Sequence, residues 1–149
     1  MYDRLLEAIK GRKHSYGEDL QPPCSHEDLK SLRIRAKSEL DFDIIDGYAR
    51  FLKKANGLDW NGLVVYASKR APIVGYSDRF IDGFVEANLA FRDFEPMKDY
   101  LVFADDGVVL FTLHAATNKY EVITRVGLSV LKSYSSFDEL LTDAFSGHM

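Results

Sequence analysis

Apolar residues recur every three to four positions in five stretches of the chain, which predicts five amphipathic helices. In the second stretch Leu29, Leu32 and Ala36 repeat at this spacing. Ser25 stands just before them as an N-cap residue, and acidic residues follow it in the first turn. The predicted helices span residues 3–10, 25–39, 44–55, 79–93 and 137–145. In the fourth helix the predicted buried stripe is Ile81, Phe84, Val85 and Leu89.

The second half of the chain carries a different pattern, with short apolar runs separated by turn residues. Residues 119–126 alternate strictly, with Tyr120 and Val122 on one face and Glu121 and Ile123 on the other, which is typical of a half-buried strand. The Asp106-Gly107 pair predicts a hairpin turn between two of the runs. Strands are predicted at residues 63–67, 100–104, 108–114, 119–126 and 129–134, with a short extended piece at 72–74.

The order of these elements predicts an α+β fold, because helices come first and most strands follow one another directly. We expect a mainly antiparallel sheet, made from a meander over about 100–134 and the strand 63–67, packed by about five helices. The length of 149 residues suits a single domain spanning 1–149. Its core is expected over about 25–145, preceded by a helix and loop at 1–24.

The stretch FLKKANGLDWNGLVVYA, residues 51–67, contains two Asn-Gly pairs on either side of the only tryptophan. We expect the first pair, with Gly57 in the left-handed region, to end the third helix. The second pair, Asn61-Gly62, is expected to turn the chain into the strand at Leu63. Trp60 between them is either a core plug or an exposed anchor for a partner.

The charge balance bears on the class of partner. Nineteen Lys and Arg residues against 23 Asp and Glu residues give a net charge of −4. A binder of nucleic acid needs a surplus of basic residues, so we expect none as a ligand. The balance is compatible with a basic protein partner, and solubility alone explains it equally well.

The single cysteine, Cys24, excludes an intrachain disulfide and favours a reducing compartment. No apolar run approaches the roughly 20 residues that span a bilayer, and the first residues do not resemble a signal peptide. We therefore expect a cytoplasmic protein without a membrane partner. Cys24 precedes a helix N-terminus that would lower a thiol pKa, but an incidental thiol is the favoured interpretation.

Motifs for phosphate loops, zinc sites, nucleophile elbows and redox dithiols are all absent from the chain. The sequence thus predicts no cofactor, no metal site and no catalytic centre. His114, at the end of an apolar strand, is the one candidate general base, although a structural role at the strand end is favoured.

Acidic residues supply the remaining candidates for a site. Asp82 and Glu86 lie four residues apart on the predicted fourth helix, where like charges repel by a few tenths of a kcal/mol. Such a pair suggests a face with a function, while a plain solvated face is the simpler interpretation. Asp105 and Asp106 add two carboxylates at the predicted hairpin.

Several stretches together resemble the SUKH superfamily. The segments IIDGYARFLKKANGLDWNGLVVYAS, FIDGFVEANLAFRD, YLVFADDGVVLFTLHAATNKYEVITRV and SSFDELLTDAF are similar to its entrance helix, middle helix, hairpin and closing helix. The most similar branch is the YrhA-like one. The usual proline of the entrance helix is missing, and Ala104-Asp105-Asp106-Gly107 replaces a Gly-rich strand end. The positions that match are Tyr48, Phe51, Leu52, Asn56, Gly57, Gly62, Asn88, Tyr100, Tyr120, Phe137 and Leu140.

The resemblance implies a binding protein rather than an enzyme. Many members of the superfamily look like cytoplasmic immunity proteins that neutralise a cognate toxin, often a nuclease, delivered between competing bacteria. A regulatory or adaptor module without a toxin partner is the alternative, and a small enzyme using His114 is a third. Acidic side chains suit the basic cleft of a nuclease. The expected partner surface is Trp60, Tyr66, Asp82, Glu86, Asp105 and Asp106.

Overall fold

The computed structural model describes all residues, 1–149, and contains five α-helices, eight β-strands and one 3-10 helix. The helices are α1 (Asp3–Ser15), α2 (His26–Leu40), α3 (Asp46–Lys54), α4 (Phe84–Phe91) and α5 (Phe137–Ser146), and the 3-10 helix covers Glu95–Asp99. The strands are β1 (Leu58–Trp60), β2 (Leu63–Val65), β3 (Ala71–Pro72), β4 (Phe80–Ile81), β5 (Tyr100–Asp105), β6 (Val109–His114), β7 (Lys119–Thr124) and β8 (Val130–Tyr134). None of the helices is both long enough and apolar enough to cross a bilayer.

Six strands form one antiparallel sheet in the order β1-β2-β5-β6-β7-β8, and β3 pairs with β4 in a separate two-stranded sheet. The predicted α+β class and the antiparallel meander are confirmed. Thirty-five buried residues form a single hydrophobic cluster between the sheet and the helices. At its centre the rings of Tyr48, Phe84, Phe103 and Phe137 pack with centroid separations of 5.1–5.9 Å.

Local sequence sets the start of two helices. The Ser25 hydroxyl accepts a hydrogen bond from the Asp28 N–H at 3.1 Å at the start of α2. At the start of α5 Ser136 accepts from the Glu139 N–H at 3.2 Å, and the Glu139 carboxylate accepts from the Ser136 hydroxyl. Both caps satisfy N–H groups that the first helical turn leaves free.

The second Asn-Gly pair forms a two-residue hairpin turn rather than the end of a loop. Asn61 and Gly62 have φ angles of 52° and 88°, and Trp60 pairs with Leu63 across the turn. Positive φ at both central residues is the requirement of a type I′ turn. The strand β1 was missed because three residues are too short a run to show a period.

The predicted fourth helix, 79–93, is wrong at its start, because the chain there is extended. Phe80 and Ile81 pair with β3, while the Ala67 N–H donates to the Asp82 carbonyl at 3.0 Å. Pairing of the backbone in this segment overrides the helical spacing of its apolar residues. The predicted stripe is wrong at Leu89, which is 40% exposed.

Asn88 is the buried residue at this point of α4, in place of the expected Leu89, because its side chain completes the sheet. Strand β5 extends past the end of β2, which leaves the N–H and C=O of Val102 without a strand partner. The Asn88 amide donates to the Val102 carbonyl at 2.9 Å and accepts from the Val102 N–H at 2.8 Å. One side chain thus substitutes for a neighbouring strand.

The other elements differ from the prediction at their ends. Helix α1 continues through Gly11 to Ser15, where Arg12 and Lys13 in the last turn suit the negative end of the helix dipole. Strand β7 ends at Thr124 because Gly127 and Leu128 turn the chain with positive φ. The interpretation of β7 as half-buried is wrong at its centre, since Glu121, Val122 and Ile123 are all buried.

Candidate functional site

A groove with a volume of about 360 Å³ lies where α4 passes over the ends of β5 and β7. Three of the six residues predicted from the sequence meet in it. The groove is lined by Tyr66, Asp82, Ala87, Ala90, Phe91, Asp105 and Arg125. It combines acidic side chains with an apolar wall from α4.

The register of the sheet brings Asp105 and Arg125 together. Asp105 ends β5, and the Arg125 N–H donates to the Val108 carbonyl at 2.9 Å in the neighbouring hairpin. The Arg125 guanidinium lies 3.4 Å from the Asp105 carboxylate and 5.5 Å from the Phe91 ring centroid. One end of the groove is therefore a cation held between an acid and an aromatic ring.

Tyr66 positions Asp105 from below the groove. Its side chain is 2% exposed, and its hydroxyl donates a hydrogen bond to the Asp105 carboxylate. Burial, followed by the negative charge of Asp105, raises the pKa of Tyr66 far above its ordinary value, so the hydroxyl keeps its proton. Tyr66 was expected in the partner surface, but its buried ring offers a partner no exposed aromatic face.

Asp82 is the free carboxylate of the groove. It is exposed on the rim, and its side chain makes no hydrogen bond and no ion pair. It lies between β4 and α4, held by the backbone pairing of its carbonyl with Ala67. Asp82 is therefore available to an incoming positive charge.

Glu86 lies outside the groove and has a partner of its own. Its carboxylate is 2.8 Å from the Arg35 guanidinium, which also binds Glu39 at 2.9 Å. The expected repulsion between Asp82 and Glu86 required both residues to lie on one helix. Asp82 instead precedes α4, so this helical spacing does not apply. Arg35 balances the charge of Glu86 and joins α4 to α2.

Asp106 shapes the hairpin, and its carboxylate is already occupied by hydrogen bonds. Its carboxylate accepts hydrogen bonds from the N–H groups of Val108 and Val109 at 2.9 and 2.8 Å. It also lies 3.0 Å from His148 Nε2. Burial alone would raise the pKa of Asp106, but these hydrogen bonds outweigh it and hold the pKa below the ordinary value.

Trp60 is half-buried, which fits neither of the two roles that were considered for it. Its ring packs against the main core, while the residue also lines a different cleft that shares no residue with the groove. Trp60 and Glu86 are thus separated from the other predicted residues.

Among the groove residues that the sequence did not predict, Phe91 and Arg125 supply the aromatic ring and the cation. Arg125 had been assigned to the same face of β7 as Ile123, and only the pairing of three strands places it beside Asp105. The Asp-Gly hairpin and the alternating pattern of β7 are the sequence features from which this proximity could have been inferred. The position of Phe91 in the groove depends on the angle at which α4 crosses the strand ends, and the sequence pattern does not specify that angle.

The other candidate groups are dispersed. His114 is partly exposed, stacks on Tyr100 at 4.7 Å and hydrogen-bonds Thr117 at 3.0 Å, while Glu121 lies 3.9 Å from its Nδ1. Burial raises the pKa of the Cys24 thiol, which opposes activation. The structure gathers no three His, Cys, Asp or Glu side chains into an arrangement that could hold a metal ion.

No protein-family model matches the chain, and no curated protein matches it either. The fold and the groove define an α+β protein with an acidic surface groove that has one aromatic wall.

Proposed function

We propose that this protein is a cytoplasmic immunity protein that binds a cognate toxin, often a nuclease, and neutralises it in competition between bacteria. The resemblance of the sequence segments to the SUKH superfamily supports this proposal. The contact is with protein, so neither nucleic acid nor membrane is a partner, and no cofactor takes part.

The unpaired carboxylate of Asp82 in the groove is the observation that carries the proposal. Asp105 lies in the same groove and already binds one guanidinium, that of Arg125. The groove therefore suits a lysine or arginine of the partner, whose charge meets Asp82 while its aliphatic stem lies along Phe91. A nuclease supplies such residues in the basic cleft that holds its substrate phosphates.

A regulatory or adaptor module would use the same groove for a partner that is not a toxin. An enzyme using His114 has less support, because 3.9 Å is too long for a hydrogen bond to Glu121. Neither His114 nor Glu121 lines the groove. The paired and unpaired charges of the groove support the proposal of a binding function rather than catalysis.

Co-expression with the protein encoded by the neighbouring gene tests the proposal. We expect the pair to purify as a complex and the immunity protein to rescue cells from toxicity. Asp82→Lys should weaken the complex at least tenfold, because it places a positive charge against the partner's cation.

Glu7→Lys is the matched control, since Glu7 is an exposed acid on α1, outside the groove, and changes the net charge equally. It should bind as the wild type does. Absence of both a complex and rescue would contradict the immunity function. A stable complex without toxicity of the partner would favour the adaptor function instead.

A further inference from the structure

A second cleft, with a volume of about 170 Å³, lies where the end of α1, strand β1 and the segment 73–79 meet. It shares no residue with the acidic groove, so what it does is independent of the proposed function. Its walls contain an unusual arrangement of polar side chains, centred on Lys13 and Trp60.

Lys13 is a largely buried residue whose ammonium group has no partner. The residue is 5% exposed, and its ammonium group makes no hydrogen bond and no ion pair. It lies 5.8 Å from the centroid of the Trp60 ring, whose face provides a weak attraction only. Lysine is almost never buried this far unless a partner compensates its charge.

Trp60 adds a second unsatisfied donor to the same wall. Its indole N–H is shielded from solvent and has no acceptor. Buried N–H groups nearly always have a partner, so the indole N–H of Trp60 requires an explanation. The unpartnered ammonium of Lys13 lies 5.8 Å from the centroid of the same ring. Both groups lack the same thing, an acceptor oxygen.

The acids of the cleft do not supply that oxygen, because neither Glu18 nor Asp59 lies within ion-pair distance of the Lys13 ammonium. Glu18 accepts a hydrogen bond from the Tyr76 hydroxyl at 2.5 Å. Asp59 accepts one from the Arg79 guanidinium at 2.8 Å. These acids and their donors pair with each other in the walls of the cleft, and the charge of Lys13 remains unpaired.

We propose that this cleft is a binding site for a carboxylate, whose oxygens pair with the ammonium of Lys13 and lie against Trp60. The volume accommodates a small organic acid or the carboxylate end of a peptide. The charge of Lys13 selects an anion over a neutral amide of the same shape.

The fluorescence of Trp60 tests the site directly, because the chain contains no other tryptophan. The protein is titrated with sodium acetate, with ionic strength held constant by sodium chloride. We expect a saturable change in emission with a Kd of about 1–10 mM, as suits so small a ligand. Acetamide is the neutral control and should give no saturable change.

Lys13→Met removes the charge with little change in shape and should abolish the response to acetate. Lys10→Met, an exposed lysine on the same helix, should leave the response intact. A response to acetamide equal to that of acetate, or one that persists in Lys13→Met, would overturn the proposal, as would no response at all.

Thermal unfolding provides a measurement that does not depend on fluorescence. Because Lys13 is unpaired without ligand, Lys13→Met should melt at the wild-type temperature or above it. Acetate should raise the melting temperature of the wild type and not that of the variant. A clearly lower melting temperature for Lys13→Met would mean that the ammonium supports the fold, and would overturn its assignment as an open ligand group.

A peptide with a free C-terminal carboxylate and its amidated form distinguish the two sources of the ligand. Tighter binding of the free form than of acetate would assign the cleft to a chain end. Equal binding would assign it to small organic acids, and binding of the amidated form alone would contradict a carboxylate site.

Discussion

At the scale of single residues, two glycines of the Asn-Gly pairs have the same backbone conformation and different surroundings. Gly57 and Gly62 have φ angles of 89° and 88°. A Cβ at Gly57 would lie 3.1 Å from Ala67, Ile81 and the Val65 carbonyl, whereas a Cβ at Gly62 would meet nothing within 4 Å. The first glycine permits a close approach of chain segments, and the second permits only a turn.

Alanine substitution separates these two effects. Gly62→Ala should lower the free energy of unfolding by about 1 kcal/mol, the cost of positive φ in a residue with a side chain. Gly57→Ala should lower it by roughly 2–4 kcal/mol, because overpacking adds to the same backbone strain. Urea unfolding of both variants measures the difference, and equal losses would show that the contacts around Gly57 relax freely.

Asp106 makes the free energy of unfolding depend on pH in the acidic range. Its pKa in the folded state lies below the ordinary value of 3.8, so its contribution to stability is present above that pH and disappears as the pH falls through the folded pKa. Asp106→Ala should therefore cost about 1–2 kcal/mol at pH 7 through the lost hydrogen bonds. The difference from wild type should shrink below about pH 4.

Urea unfolding at pH 7 and pH 3 checks this window. Asp78→Ala, which removes an exposed acid without hydrogen bonds, is the control and should show no such dependence. A difference between Asp106→Ala and wild type that stays constant with pH would contradict the role given to the carboxylate.

At the scale of elements, the contact between α4 and β5 depends on Asn88. Asn88→Leu has nearly the same volume but leaves the N–H and C=O of Val102 buried without partners. It should lower the free energy of unfolding by roughly 2–4 kcal/mol, from two unsatisfied groups. Leu89→Ala, at the exposed neighbouring position, should cost less than 1 kcal/mol.

Chemical denaturation with circular dichroism measures both variants. If Asn88→Leu were as stable as Leu89→Ala, the edge of β5 would have to find partners elsewhere. The comparison thus tests the amide as a substitute for a strand rather than as a mere space filler.

The sequence pattern predicted the elements that carry many residues, and of the short strands it predicted only β2 and an extended piece at 72–74. Period 3.6 in α2 and period 2 in β7 are visible because each element covers several repeats. Strands β1, β3 and β4 have two or three residues each, which is too short to show a period, and pairing with a neighbouring strand defines them. The predicted helix at 79–93 fails mainly at its start, where β4 pairs with β3, and α4 spans only Phe84–Phe91.

The residues of the candidate site also divide into those that the sequence predicted and those that it did not. Asp82 and Asp105 were predicted because acids without an evident structural purpose are visible in a sequence. Phe91 and Arg125 were not, because an aromatic residue on a helix and an arginine at a strand end are both ordinary. Their meeting depends on the angle at which α4 crosses the sheet.

At the scale of the whole molecule, the net charge of −4 and the acids of the groove act together on a basic partner. The association rate with such a partner should fall as salt rises, because screening shortens the reach of the field. Asp82→Lys should reduce that salt dependence more than Glu7→Lys does, although both change the net charge by the same amount. Stopped-flow mixing at several salt concentrations measures this, and equal effects would assign steering to the overall charge.

The amide of Asn88 has a further consequence, for the order in which the molecule comes apart. Detachment of helix α4 would break the two hydrogen bonds between Asn88 and Val102 and uncover the free edge of β5 to any other extended chain. We therefore expect α4 and β5 to open together as one cooperative unit. While α4 stays in place, the amide of Asn88 keeps the backbone of Val102 from pairing with a strand of another molecule.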